Sequence, residues 1–266
     1  MKMKPYLSSF RLRAVLETTY RGAALGGLVT QVFFGLVLIY LYEALYAMGA
    51  PQGIPLRDMI TYVWLQQMFF RALLSTDGEL NEQVMSGSIA YALCRPVDQY
   101  AWWLSRSLAQ KLVGSLMRMG PMIAVQLLLP ENIRMTLPAS PLAFGQALFS
   151  FALGYLVMAE VDTIRSALVM RTLDNRGASA MLQLVMMIFA GNIIPLPFFP
   201  DSVQAIIRYQ PFAQALDAPI RMYLAAQPAG EWLMNTAVQL LWAAVLMGLG
   251  RMQWRANLRR VTVQGG

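Results

Sequence analysis

The side chains able to do chemistry in this chain are few and mostly charged, and their types exclude more than they permit. Cys94 is the only cysteine and histidine is absent. That removes disulfides within the chain, Cys/His zinc sites, haem held by His and a Ser-His-Asp triad. No two carboxylates recur at a spacing suited to a proton relay or a general acid/base pair. A phosphate-cradling Gly-x-x-x-x-Gly-Lys-Ser/Thr loop is missing, and the only lysines, Lys2, Lys4 and Lys111, lie in no glycine-rich loop. What remains is charge at helical spacing. Asp162 and Arg165 stand three apart, as do Glu79 and Glu82, and Lys111, Ser115 and Arg118 fall at i, i+4 and i+7 on one helix face. Such sets form ion pairs, snorkel or meet a partner. They do not catalyse.

The elements that must position these groups are membrane-length. Six apolar blocks are long enough to cross a bilayer, at about 22–48, 56–74, 103–129, 141–159, 178–194 and 232–250. Positive charge sits on alternate connections. Lys2, Lys4, Arg11, Arg13 and Arg21 precede the first block, and Arg71, Arg95, Arg106 and Lys111 flank the second connection. Arg165, Arg171 and Arg176 flank the fourth, and Arg251, Arg255, Arg259 and Arg260 follow the last block. The other connections hold only Arg57, Arg134, Arg208 and Arg221. This is the positive-inside pattern, and it predicts both termini in the cytoplasm. The composition, 57% apolar and 13% charged with a net charge of +7, agrees. Because the basic residues flank apolar runs, their expected counter-charge is anionic lipid, not nucleic acid. The first block is too long for a signal-peptide core and leads into no polar mature domain.

Three segments outside the spans carry signal. Residues 2–20 read as an interfacial amphipathic helix, with Tyr6, Phe10, Val15 and Leu16 on one side and Arg11, Arg13 and Glu17 on the other. The second connection, 75–100, is longer than a turn needs. Thr76 or Asp77 is placed to cap a short helix with Glu79 and Glu82 at its positive end. Ser86, Gly87 and Ser88 stop it, and Arg95-Pro96 marks a turn. The fifth connection, 191–224, holds Pro195, Pro197 and Pro200, which break the fifth helix near its outer end. Its remainder is amphipathic and too short to span, which suits two short helices dipping into the outer leaflet.

The third block predicts a helix of ~42 Å at ~1.5 Å per residue, longer than the ~30 Å hydrocarbon core, so its first turns project into the cytoplasm. Arg118 then lies near the inner boundary and snorkels or pairs. Glu43 is similar at the outer end of the first span, and Asp162 with Arg165 at the inner end of the fourth.

Three stretches resemble the permease subunits of bacterial type-2 ATP-binding-cassette (ABC) exporters, in the branch that pairs with a separately encoded ATPase. They are SGSIAYALCRPVDQY at 86–100, GNIIPLPFFP at 191–200 with the later Pro211-Phe212 and Pro219, and RRVTVQGG at 259–266. With six spans at matching spacing the likeness covers essentially the whole chain. The connection at 169–177 departs from it by lacking an aromatic pair.

The resemblance implies an all-α polytopic fold: an elbow helix over 1–21 and one transmembrane domain over 22–266. A coupling helix lies between the second and third spans, and a re-entrant outer hairpin between the fifth and sixth. It implies a dimer of identical or related permeases and partner ATPase subunits that bind ATP and Mg. This chain is then no enzyme by itself and binds no cofactor. Asp77, Glu79, Glu82, Ser86, Gly87, Arg95 and Pro96 become the expected docking residues for the ATPase. Pro195 and Pro197 become gate elements, and Gln31, Tyr40, Glu43, Gln66, Gln67, Asn192 and Phe198 candidates for the substrate path. Polar residues in spans also glue helices together. The function expected is export across the bacterial inner membrane. The alternative is a secondary transporter or channel without an ATPase, against which stands the lack of an inverted repeat.

Overall fold

The computed structural model describes residues 3–19, 21–49, 54–172, 176–228 and 230–259. The described residues form helices and connecting turns, with no strand among them. In chain order these are α1 (Lys4–Thr19), α2 (Arg21–Ala47), α3 (Leu56–Leu74), α4 (Glu79–Met85), α5 (Ile89–Leu93), α6 (Gln99–Leu128) and α7 (Pro141–Ala167). Then come α8 (Val169–Thr172), α9 (Arg176–Phe189), a 3-10 turn (Leu196–Phe198), α10 (Asp201–Ile207), α11 (Pro211–Tyr223) and α12 (Glu231–Leu258). Local chemistry fixes several starts. Asp98 accepts the Ala101 N–H at 2.7 Å, and Ser140 accepts that of Ala143 at 3.0 Å with Pro141 in the first turn. Gln210 accepts from Phe212 at 2.8 Å ahead of Pro211. A side-chain acceptor satisfies an amide the helix leaves orphaned, and proline in the first turn has none to leave.

α3 is the hub. Every residue from Met59 to Phe69 is buried, and α2, α6, α7, α9 and α11 pack around it. Phe69 stacks on Phe151 of α7, and the Trp64 indole donates to the Ile133 carbonyl at 2.7 Å. α2 and α12, by contrast, leave long apolar faces outward: Val29, Phe33, Val37 and Leu41 on one, Leu233, Leu240 and Leu241 on the other. Along the apolar stretch of α12, Asn235 and Gln239 turn inward and are buried. Apolar outside with polar inside is the arrangement of a helix facing lipid.

Among the described residues three helices are long and apolar enough to cross a membrane: Leu25–Ala47, Pro141–Thr172 and Glu231–Leu258. α3 and α6 have spanning length at 19 and 30 residues but carry more polar groups. α9, at 14 residues, measures ~21 Å at ~1.5 Å per residue and falls short alone.

Several boundaries correct the sequence reading. The fifth block was expected to run to 194, but its helix ends at Phe189. Gly191 ends it ahead of the prolines, adopting φ +77, a left-handed value that suits a residue without Cβ. The fourth and sixth helices extend to Ala167 and Leu258, beyond the expected 159 and 250. The second connection folds as two short helices, hinged at Gly87 with φ +73.

Both expected sides of α1 are split, with only Arg11 of the charged set left exposed. Arg13 and Glu17 turn toward the protein with Tyr6, Ser9 and Phe10, while Leu7, Leu12, Val15 and Leu16 are exposed. Ion pairing outweighs simple amphipathicity here, because the body offers charged partners to this helix.

Candidate functional site

Charge collects where α1, α3, α4 and α6 meet. Six side chains alternate in sign. Arg71 of α3 pairs with Glu17 of α1, and Glu17 with Arg13 at 3.2 Å. Arg13 lies 3.7 Å from Asp77, Asp77 lies 3.5 Å from Arg106 of α6, and Arg106 pairs with Glu79 of α4. Asp77 and Arg106 are buried, so solvent screens their attraction weakly and neither is cheap to leave alone. Gly114 makes the crossing possible, since a Cβ there would sit 2.2 Å from the Arg71 Nε. Beside it, the buried Lys111 Nζ donates to the Ala72 and Ser75 carbonyls at 2.9 and 2.7 Å, closing the C-terminus of α3.

This geometry divides the residues expected to dock a partner. Asp77 is buried; one carboxylate oxygen accepts the Glu79 N–H at 3.1 Å, although the cap position itself is Gly78. Glu79 turns toward Arg106, and does not share an outward face with Glu82 as its spacing suggested. Glu82, Ser86, Arg95 and Pro96 are exposed, with the Arg95 guanidinium over the Trp102 ring at 5.1 Å. Ser86 and Ser88 hydroxyls meet at 2.8 Å across Gly87. Met85 at 65% exposure and Tyr91 at 80% complete this outward surface. The sequence reading passed over both. An exposed Met and Tyr beside charge was the available signal, since these types are enriched at interfaces.

The far end of the bundle is closed by the segment after α9. Gln66 of α3 donates to the Gly191 carbonyl, and a Cβ on Gly191 would meet Leu196 Cδ1 at 2.7 Å and the Tyr62 hydroxyl at 3.1 Å. Pro195 and Leu196 are buried, and the Pro197 carbonyl accepts from Gln204 at 3.3 Å. Phe198 stacks on Tyr42 of α2 with ring centroids 5.3 Å apart. α11 is anchored beneath by groups that sequence reasoning did not single out. Asp217, fully buried, accepts from the Tyr62 hydroxyl at 2.7 Å and pairs with Arg221 at 2.7 Å. That carboxylate holds the Arg221 guanidinium above its ordinary range, against the opposing effect of burial. Gln239 of α12 donates to the Ser150 hydroxyl at 2.7 Å and to the Gln214 carbonyl at 2.6 Å.

The path candidates do not converge on one cavity. Gln66 and Gln67 are buried in the core of α3, and Gln31 is buried with both amide atoms unpaired among the described residues. Tyr40 is 56% exposed on the outer face of α2, while Glu43 and Asn192 are half-buried. Asp162 and Arg165 form their ion pair at 2.6 Å, and it joins three helices through Ser107 of α6 and Ser179 of α9, each at 2.7 Å. The Arg118 guanidinium lies over Gly27. Among the described residues no group of three or more Cys, Asp or Glu could hold a metal.

Lipid-facing helices, a charged junction at one end and a plugged break at the other define a helical membrane protein. The chain belongs to a known transporter family: the model for the ABC-2 family transporter protein matches residues 27–265. It is thus a membrane permease component of an ABC transporter. No curated protein matches the chain.

Proposed function

We propose that the chain is the permease of an exporter in the bacterial inner membrane, with six spans and both termini in the cytoplasm. Residues 1–21 serve as an interfacial elbow. Two permeases, identical or related, enclose the substrate path, and separate ATPase subunits bind ATP with Mg beneath them. The observation that carries the reading is the alternating charge network from Arg71 to Glu79, which makes α1, α3, α4 and α6 one mechanical unit behind an exposed loop. Closure of the ATPase pair on ATP displaces α4 and α5, and the network carries that displacement into the spans as a rigid-body shift. The break after Gly191 and the α10–α11 hairpin form the outer gate.

Reconstitution of the chain with the ATPase encoded beside it tests this. Expected are a stable complex and ATP-driven uptake of substrate into inverted vesicles, with both lost in Glu82→Lys. Transport driven by an ion gradient with no ATPase present would establish the secondary-transporter reading instead.

A further inference from the structure

At the end of the bundle remote from α4, a cavity of about 900 Å³ opens between the start of α3, the end of α6, the 130–139 turn and α7. Its lining has two characters. Arg57, Asp58, Gln126 and Arg134 supply charge and hydrogen bonds, while Ile123, Leu127, Leu137 and Phe144 supply an apolar wall. Gln126 is the informative residue. It is 3% exposed, its carbonyl oxygen accepts the Met135 N–H at 3.0 Å, and its amide nitrogen has no partner. A buried amide nitrogen left unpaired costs about 1–3 kcal/mol, so the cavity wall carries an unsatisfied donor just behind its surface.

The Arg57 guanidinium makes no hydrogen bond or ion pair among the described residues. Arg134 holds only Glu131 at 2.7 Å, an exposed pair of little strength that leaves most of its donors open. The apolar wall continues outward into Leu127, Leu128 and Leu142, all at least 71% exposed on the lipid-facing side.

We propose that this cavity is a binding site for a phospholipid. The phosphate lies between Arg57 and Arg134. Asp58 faces the ammonium of a zwitterionic headgroup, and one acyl chain runs along Ile123, Leu127 and Phe144. A free anion would satisfy the arginines but leave the wall wet and Asp58 repelled. A neutral diacylglycerol would leave the arginines unpaired. Only an amphiphile bearing phosphate uses all of the lining.

The site needs no ATPase for its test, so it stands or falls separately from the export reading. The full chain in detergent is titrated with phosphatidylethanolamine, dioleoylglycerol or inorganic phosphate and observed by native mass spectrometry. One retained phosphatidylethanolamine is expected, with about tenfold weaker retention in the Arg57→Ala/Arg134→Ala variant. Both arginines reach solvent, so this variant should melt with the parent protein. A second variant, Phe144→Gln, should weaken the lipid with the arginines intact. Equal retention by parent and double variant overturns the proposal. So does diacylglycerol retained as well as the phospholipid, or displacement of the lipid by inorganic phosphate alone, which would make the site one for free anions.

Discussion

Arg106 of α6 is ion-paired to Glu79 of α4 through a guanidinium whose side chain is only 4% exposed, while the carboxylate stays 37% exposed. The long helix α6 is thereby fastened to the segment before it by one buried and one half-wet charge. Removing the two partners should have unequal effects. Glu79→Gln leaves Arg106 with Asp77 and costs about 1 kcal/mol after allowance for solvent screening. Arg106→Met strips the cation from Asp77 and Glu79 together and costs about 3 kcal/mol. Thermal unfolding of the detergent-solubilised variants measures both. Equal effects would mean that the pair does not organise the junction.

Coupling and folding separate at Glu82. It is exposed and has no ion pair among the described residues, so Glu82→Lys should leave the melting temperature within the usual scatter of a surface change. ATPase retention and ATPase stimulation should fall together, and Tyr91→Ala should act in the same way through lost apolar contact. Full retention by both variants would move the docking site elsewhere, to α1 or the turn around α8.

Topology can be read with the single native thiol. Cys94 is exposed on the α5 side of the bundle. An impermeant maleimide added to intact spheroplasts should leave it unlabelled and modify it only after lysis. In a Cys94→Ala background, Asn132→Cys, at an exposed position of the opposite end, should label in intact cells. The reverse result would invert the orientation.

How much of this was legible beforehand depended on the kind of signal. The first, fourth and sixth apolar blocks were, because a bilayer-length apolar run has few other uses. The helical pair Asp162 and Arg165 was, because its spacing is local. Asp217 with Tyr62 was not. The two lie 155 positions apart, and a lone Asp in an amphipathic stretch reads as a solvated face. The inward turn of Arg13 and Glu17 was equally hidden, since their partners Arg71 and Asp77 come from other elements. Gly191 was quoted within the proline-rich stretch, yet the prolines were credited with its work.

That last point changes an expected outcome. If the prolines ended the fifth helix, replacing Pro195 and Pro197 with Ala would let it run on, but Gly191 at φ +77 already ends it. The double Ala variant should keep α9 at its present length. Gly191→Ala should cost about 1–2 kcal/mol from the left-handed backbone alone and disturb the Leu196 contact besides. Export assays on the two variants, at matched expression, should show the larger loss in Gly191→Ala. A larger loss in the proline variant would return control of the break to those rings.

Gly154 offers the sharpest test of how α11 is seated. A Cβ built there falls 2.4 Å from the Ala215 carbonyl oxygen, a backbone atom with no rotamer to move aside. α7 and α11 approach this closely only because the residue has no side chain. Gly154→Ala should therefore push α11 away as a unit. It should loosen Asp217 from Tyr62 and Gln214 from Gln239, whose donors and acceptors are buried and costly to strand. The expected loss is at least that of Asp217→Ala, about 3 kcal/mol, since the latter strands Tyr62 and Arg221 but leaves the packing in place. Gly145 lies nine residues earlier on α7 with open space around it, so Gly145→Ala is the matched control and should be neutral to stabilising by up to about 1 kcal/mol. Unfolding followed by tryptophan fluorescence compares the three. Two glycine variants of equal stability would mean that α11 is held by its polar anchors and not by the close approach.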